Sequence, residues 1–170
     1  SSFGVSRQTT HLYYEDLQQA QHFYTATLGL QTSDSIHFRI SRDASIALHP
    51  LDDLHPKDQP KSTAIALLTD QLPQWNALLK EQGVPIKYPY KPKAGGAHDG
   101  FVALDPGGYL LEFEQFKQHP ENEYFMAVLA GAHRIPVSIS GLNFFGSITW
   151  TYHKDLPGMQ RFYEEVLGFV

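Results

Sequence analysis

Apolar and polar residues alternate with two different periods along this chain, and these periods predict its secondary structure. A period of two predicts strands over 8–14, 35–40, 44–49, 63–69, 100–105 and 109–116. Apolar residues three and four positions apart predict helices over 17–28 and 71–82, each followed by a glycine that suits a helix end. The proline-broken stretch over 84–92 predicts an edge strand at most. The order strand, helix, strands therefore occurs twice within 8–116.

The same alternation sorts the side chains onto two faces of each strand. Large apolar residues such as Ile46, Leu111 and Phe113 share one face, which we expect to pack under the helices. The opposite face carries small, polar or ionisable residues, namely Thr9, His11, Tyr13, Ala47, His49, Ala64, Glu112 and Glu114. Small residues beside ionisable ones favour a concave pocket over a flat solvated surface.

The end of the chain repeats its beginning. HLYYEDLQQAQHFYTATLGL aligns with WTYHKDLPGMQRFYEEVLGF, and Asp16 and Asp155 fall at the helix start of each copy. We therefore expect a complete domain over 8–116, a linker over 117–145 and the opening strand and helix of a second, truncated domain over 146–170. A helix over 121–132 is predicted within the linker.

A lone strand and helix cannot bury their apolar face. Residues 146–170 are therefore predicted to pack on the first domain or on a second copy of the chain, and a homodimer is one expected outcome.

Composition excludes several classes of protein. The 170 residues carry a formal net charge of -5, which argues against nucleic acid or an anionic membrane as the main partner. The chain has no cysteine, which excludes disulfides, thiolate metal ligands and a cysteine nucleophile. No apolar run approaches the roughly 18 residues that span a bilayer. We expect a cytoplasmic protein whose partner is a small molecule.

Two stretches of the sequence carry a resemblance to a known family. DLQQAQHFYTATLGL, followed by FVALDPGGYLLEFE, resembles the vicinal oxygen chelate superfamily of glyoxalases, bleomycin resistance proteins and extradiol dioxygenases. The resemblance implies an α+β fold in which paired βαβββ modules form a curled, mixed and antiparallel sheet. The helices would lie on its convex side, and the pocket would lie on its concave side.

The resemblance also implies four positions for metal ligands, which here hold Thr9, Ala47, Ala64 and Glu112. Only Glu112 is a good ligand, so the usual metal site is largely erased in this domain. An alternative set at shifted positions consists of His11 and His49 with Glu112 or Glu114, and it would suit a divalent ion of iron, manganese or zinc. The predicted pocket residues are Thr9, His11, Tyr13, Ala47, His49, Ala64 and Phe101.

His98, in the glycine-rich stretch KAGGAHDG, could cover a pocket, but it is predicted to be a solvated loop residue.

Three functions stay open at this stage. The chain could be the N-terminal domain of a two-domain glyoxalase- or dioxygenase-like protein whose metal lies in the other domain. It could also be a metal-free binding module of the antibiotic-sequestering type. The third possibility is a metal-dependent lyase, isomerase or transferase with a shifted site. The sequence names no substrate and leaves open whether the protein is an enzyme.

Overall fold

A computed structural model describes residues 5–139 and 141–169. The first module consists of strand β1 (Gln8–Tyr14), helix α1 (Leu17–His22) with a π-helical turn (Phe23–Thr27), and strands β2 (Gln31–Thr32), β3 (His37–Arg39) and β4 (Ala44–Pro50). The second module consists of β5 (Thr63–Leu68), α2 (Leu72–Glu81), β6 (Ile86–Tyr88), β7 (His98–Leu104) and β8 (Leu110–Phe116).

The remaining segment also contains regular structure. A 3₁₀ turn (Pro120–Asn122) leads into α3 (Glu123–Ala130), and β9 (Ile135–Pro136) and β10 (Asn143–Phe144) form a small two-stranded sheet. They are followed by β11 (Gly146–Thr151), α4 (Leu156–Arg161) and a second π-helical turn (Phe162–Val166). The predicted second domain extends to Val170, which lies outside the described residues.

Each module forms its own mixed sheet. The first has the order β1-β4-β3-β2, with β1 and β4 parallel and the other pairs antiparallel. The second has the order β11-β5-β8-β7-β6, with β5 and β8 parallel. The predicted α+β fold of two βαβββ modules is confirmed. The two modules form separate sheets, and β11 pairs with β5 at one edge of the second.

The apolar strand faces and the helices share one hydrophobic core. Phe101 stacks on Phe113 with ring centroids 4.8 Å apart, and Trp75 of α2 stacks on Phe144 at 4.6 Å. Phe144 belongs to the predicted linker, so this segment contributes a fully buried aromatic ring to the core. Burying such a ring stabilises the fold by roughly 1.5–3 kcal/mol.

A buried carboxylate joins the two modules. Asp105, in the turn before β8, accepts hydrogen bonds from the hydroxyl groups of Tyr14 (2.5 Å) and Tyr24 (2.9 Å) of the first module. It also accepts from the backbone N–H groups of Gly107 and Tyr109. Burial raises the pKa of Asp105, and these four donors oppose that rise. The turn thereby fixes the first module against the second.

The repeated segments adopt the same local structure. The Asp16 carboxylate accepts from the backbone N–H of Gln19, and the Asp155 carboxylate accepts from that of Gly158. Each copy continues from α-helix into a π-helical turn. Each then reaches a glycine with positive φ, 67° at Gly29 and 70° at Gly168. An L-residue with a side chain would be strained in that conformation.

Strand β11 pairs with β5 antiparallel, and the pairing is symmetric. Trp150 lies opposite Ala64, and Ile148 lies opposite Ala66. Ile148 lies as many residues before the helix N-cap Asp155 as Ala64 lies before the N-cap Gln71, so these two residues are equivalent. Trp150 and Ala66 are equivalent in the same way. Equivalent residues thus exchange partners about a local two-fold axis, so β11 and β5 meet through the same strand edge.

Several element boundaries differ from those predicted. The helix predicted over 17–28 is α-helical only as far as His22, and the Thr25 hydroxyl in its π-helical turn donates back to the Gln21 carbonyl oxygen. Strands β2, β9 and β10 were not predicted; each has two residues, too few to show an alternation. The proline-broken stretch does form the edge strand β6. None of the described helices has the length and apolar character needed to cross a membrane.

Candidate functional site

The second sheet carries two carboxyl groups on the face that is turned away from its core. Because side chains alternate along β8, Leu111 and Phe113 enter the core, while Glu112 and Glu114 point to the opposite face. Glu112 lies opposite Ala66 on one neighbouring strand and Val102 on the other. Small and aliphatic neighbours supply few hydrogen-bond donors, so these carboxyl groups are poorly compensated.

Glu114 is the more strongly perturbed of the two carboxyl groups. Its residue is 3% exposed, and its Oε2 atom has no hydrogen-bond partner among the described residues. Burial, with a smaller contribution from the charge of Glu112, raises the pKa of Glu114 to about 7. A carboxyl group with that pKa holds its proton for about half of the time at neutral pH.

Burial also raises the pKa of Glu112, and two smaller effects oppose that rise: the charge of His98 and an interaction with the neighbouring Trp150 side chain. This interaction brings the repeat segment into the site, because Trp150 lies on β11. On β5, Ala66 lies opposite Ile148 and Ala64 lies opposite Trp150. Both alanines are on the same face of the sheet as Glu112. The symmetric strand pair therefore places an indole next to a carboxyl group.

A cleft of about 380 Å³ opens over this face between β6, β7 and β8. Its walls include Tyr88, His98, Val102 and Glu112, with Lys91 and Lys93 in the neighbouring loop. His98 is the first residue of strand β7 and lines the cleft. The prediction that it lies in a loop was therefore wrong. The cleft combines an aromatic wall, a carboxyl group and positive charge, the mixture that a small polar organic molecule requires.

The corresponding face of the first sheet is arranged in three rows across its strands. The register places Thr9, Ser45 and Arg39 in one row, His11, Ala47 and His37 in the next, and Tyr13 and His49 in the third. The hydroxyl oxygens of Thr9 and Ser45 lie 3.0 Å apart. This face thus carries the small, polar and ionisable side chains Thr9, His11, Tyr13, Ala47 and His49, and their role in a pocket stays a prediction.

The imidazole groups of this face contact each other and an aromatic ring. His11 Nδ1 and His49 Nε2 lie 2.8 Å apart, and Tyr13 stacks on His55 with centroids at 3.6 Å. His55 in turn bonds to the Asp52 carboxylate at 2.7 Å. Burial, and secondly the proximity of His11, lowers the pKa of His49. A neutral His49 can share one hydrogen bond with His11 without charge repulsion.

The residues predicted to bind a metal are not all brought together. His11 and His49 touch each other on the first sheet, whereas Glu112 lies on the second sheet with His98 and Trp150. Within residues 5–139 and 141–169, no group of three or more His, Asp or Glu side chains has an arrangement that could hold a metal ion. Ala64 lies on β5 and offers no ligand atom.

Phe101, which was predicted to line the pocket, has its side chain mainly in the core. Only 2% of the residue is exposed, although part of it borders the second-sheet cleft. Sequence reasoning also missed the role of Trp150, because a strand pairing between distant segments leaves no local pattern. The internal repeat was the one signal that could have indicated it.

The comparison with known families identifies the fold. The sequence model of the glyoxalase/bleomycin resistance protein/dioxygenase superfamily matches residues 7–113. The chain belongs to this superfamily. The match covers both modules, and the resemblance to vicinal oxygen chelate proteins is thereby confirmed.

Solved structures of this superfamily's fold are similar to the chain. An integron cassette protein from the mobile metagenome of V. cholerae is 24% identical, with a TM-score of 0.51 over 65% of this chain and 94% of that one. A glyoxalase/dioxygenase from Nostoc punctiforme is 17% identical, with a TM-score of 0.52 over 68% of this chain and 92% of that one. No match was found among curated proteins. At these identities the structural likeness shows the fold alone.

Proposed function

We propose that this superfamily member binds a small organic molecule in the cleft of its second sheet and uses no metal there. The observation that carries the proposal is the carboxyl group of Glu112, which lines the cleft beside Trp150, with the buried Glu114 two residues further along the same strand. Three of the four ligand positions implied by the family hold Thr or Ala, and neither residue type is a good ligand for a catalytic metal.

The chemistry that fits this site is hydrogen bonding to a polar group of the ligand. Glu112 lines the cleft beside Trp150, so its carboxyl group would contact the ligand directly. Glu114 lies two residues further along β8, where it is buried and does not line the cleft. Its pKa of about 7 therefore bears on the stability of the folded protein and not on direct proton transfer to the ligand.

The alternative of a shifted metal site is less well supported. The contact between His11 and His49 provides two imidazoles, but the carboxyl group that would complete the set lies on the other sheet. We further propose that the chain acts as the N-terminal domain of a two-domain glyoxalase- or dioxygenase-like protein. Its cytoplasmic location and its association through residues 146–170 stay predictions.

Tryptophan fluorescence can test the binding proposal, because the chain has two tryptophans in different environments. Trp75 is fully buried, whereas Trp150 is 42% exposed beside Glu112. We would titrate the protein with a catechol, a glutathione thioether and bleomycin, which represent the three classes in the superfamily's description. We expect at least one probe to change the fluorescence saturably and Trp150→Phe to abolish the change.

The Glu112→Gln variant should weaken that binding by about tenfold, since a charge-assisted hydrogen bond becomes a neutral one. Glu81→Gln is the matched control, because Glu81 is an exposed residue at the end of α2. Its affinity should equal that of the original chain. Saturable binding that persists unchanged in both Trp150→Phe and Glu112→Gln would contradict the proposed site, as would the absence of binding by every probe.

A further inference from the structure

A second cleft lies on the first sheet and has a different character from the one described above. Its volume is about 520 Å³, and three of the chain's five arginines line it: Arg7, Arg39 and Arg42. Among its described lining residues, Asp43 is the single acidic one. This concentration of positive charge is unexpected in a chain with a formal net charge of -5.

The strand register explains how these groups come together. Arg39 on β3 lies beside Ser45 on β4, which lies beside Thr9 on β1, so a guanidinium and two hydroxyl groups form one row on the sheet. The Thr9 and Ser45 hydroxyls contact each other at 3.0 Å, and one donor therefore stays available to a ligand. Arg7 enters from the segment before β1.

Most of the positive charge in this cleft is not neutralised. Arg39 donates to the side-chain oxygen of Gln31, which is uncharged and leaves the guanidinium with its full charge. Arg42 forms an ion pair with Asp43 at 3.1 Å. Arg7 forms no ion pair with any described residue. Two guanidinium groups, on Arg7 and Arg39, are thus free to bind an anion.

We infer that this cleft binds an oxyanion, a phosphate or carboxylate group carried by a small molecule. The planar fork of a guanidinium matches two oxygens of such a group, and neighbouring hydroxyls can donate to a third. His37 also lines the cleft, in the next row of the sheet, and its ring offers a flat surface to the organic part of the ligand. The site lies on a different sheet from the Glu112 cleft, so this inference is independent of the proposed function.

The experiment uses calorimetric titration with phenyl phosphate, benzoate and benzyl alcohol as probes. The two anions share the ring and differ in the oxyanion, so their relative affinities distinguish a phosphate ligand from a carboxylate ligand. Benzyl alcohol supplies the ring without the charge and should not bind. We expect binding of the preferred anion to weaken as salt rises, because exposed charges are screened beyond about 8–10 Å at physiological ionic strength.

Arg39→Gln should weaken binding of the preferred anion by at least about tenfold, since it removes a charge-assisted contact. Arg7→Gln provides a second test that does not depend on β3, because Arg7 precedes the first strand and is exposed. Arg161→Gln, on the remote helix α4, is the matched control and should leave the affinity unchanged. The inference is overturned if neither anion binds, if benzyl alcohol binds equally well, or if both cleft variants retain the original affinity.

Discussion

The buried carboxyl group of Glu114 should give the protein a characteristic dependence of stability on pH. In the unfolded chain a glutamate titrates at its ordinary pKa of 4.5, whereas in the folded chain the pKa of Glu114 is about 7. Between these values the unfolded chain has lost the proton that the folded chain keeps. The free energy of unfolding therefore falls as pH rises from about 4.5 to 7 and then levels off.

The size of this effect follows from the same two values. One pKa unit corresponds to about 1.4 kcal/mol, so ionising Glu114 in the folded protein costs about 3 kcal/mol in total. Glu114→Gln removes this cost, because a glutamine is neutral and has nearly the same shape as a protonated glutamate. The variant should equal the original protein at pH 4.5 and exceed its stability by about 3 kcal/mol at pH 8.5.

Urea unfolding followed by fluorescence of the buried Trp75 measures this difference across the pH range. Thermal unfolding at pH 8.5 should show a melting temperature roughly 6–12 °C higher for the variant, because 1 kcal/mol shifts a domain of this size by about 2–4 °C. Glu81→Gln, at an exposed position, should follow the original curve. If the curves of Glu114→Gln and the original protein stay parallel from pH 4.5 to 8.5, the reasoning about Glu114 is refuted.

Three further predictions concern stability, metal content and assembly. Asp105→Asn should lower the free energy of unfolding by about 1–3 kcal/mol, because it weakens hydrogen bonds to a buried acceptor. The control Asp58→Asn, on an exposed loop, should not change it, and equal urea midpoints for the two variants would contradict the prediction. Elemental analysis should find much less than one divalent ion per chain, and a near-stoichiometric content would reject the metal-free site. Light scattering should show that the original chain is a dimer and that Phe162→Glu, or deletion of 146–170, converts it to a monomer. The reason is that Phe162 is exposed on an apolar helix face. A monomeric original chain would refute the predicted association.

Local patterns in the sequence predicted much of the fold and one side of the candidate site. Alternation along β8 separated Glu112 and Glu114 from Leu111 and Phe113, because successive side chains of a strand must point to opposite faces. Helix positions followed from apolar spacing in the same way. These properties depend on neighbouring residues in the chain, so they are visible without a structure.

The remainder depends on contacts between distant segments. The pairing of β11 with β5, which brings Trp150 to Glu112, joins strands about eighty residues apart in the sequence. The arginine cleft combines residues from a terminal segment, a short strand and a turn, and no motif connects them. The raised pKa of Glu114 likewise arises from burial, which alternation alone does not measure.

The symmetric edge shared by β5 and β11 has a consequence for how such proteins grow by duplication. An edge that is complementary to a copy of itself needs no newly evolved partner when the gene segment encoding it is duplicated. The duplicate inherits the complementary strand edge together with the strand, so it can pair with the parent module without further change. Later changes can then be confined to side chains on the facing surfaces, as with Ala66 and Trp150, which occupy equivalent positions in the two strands yet differ completely in size. Tandem arrays of this module can therefore diversify in chemistry while keeping one mode of assembly.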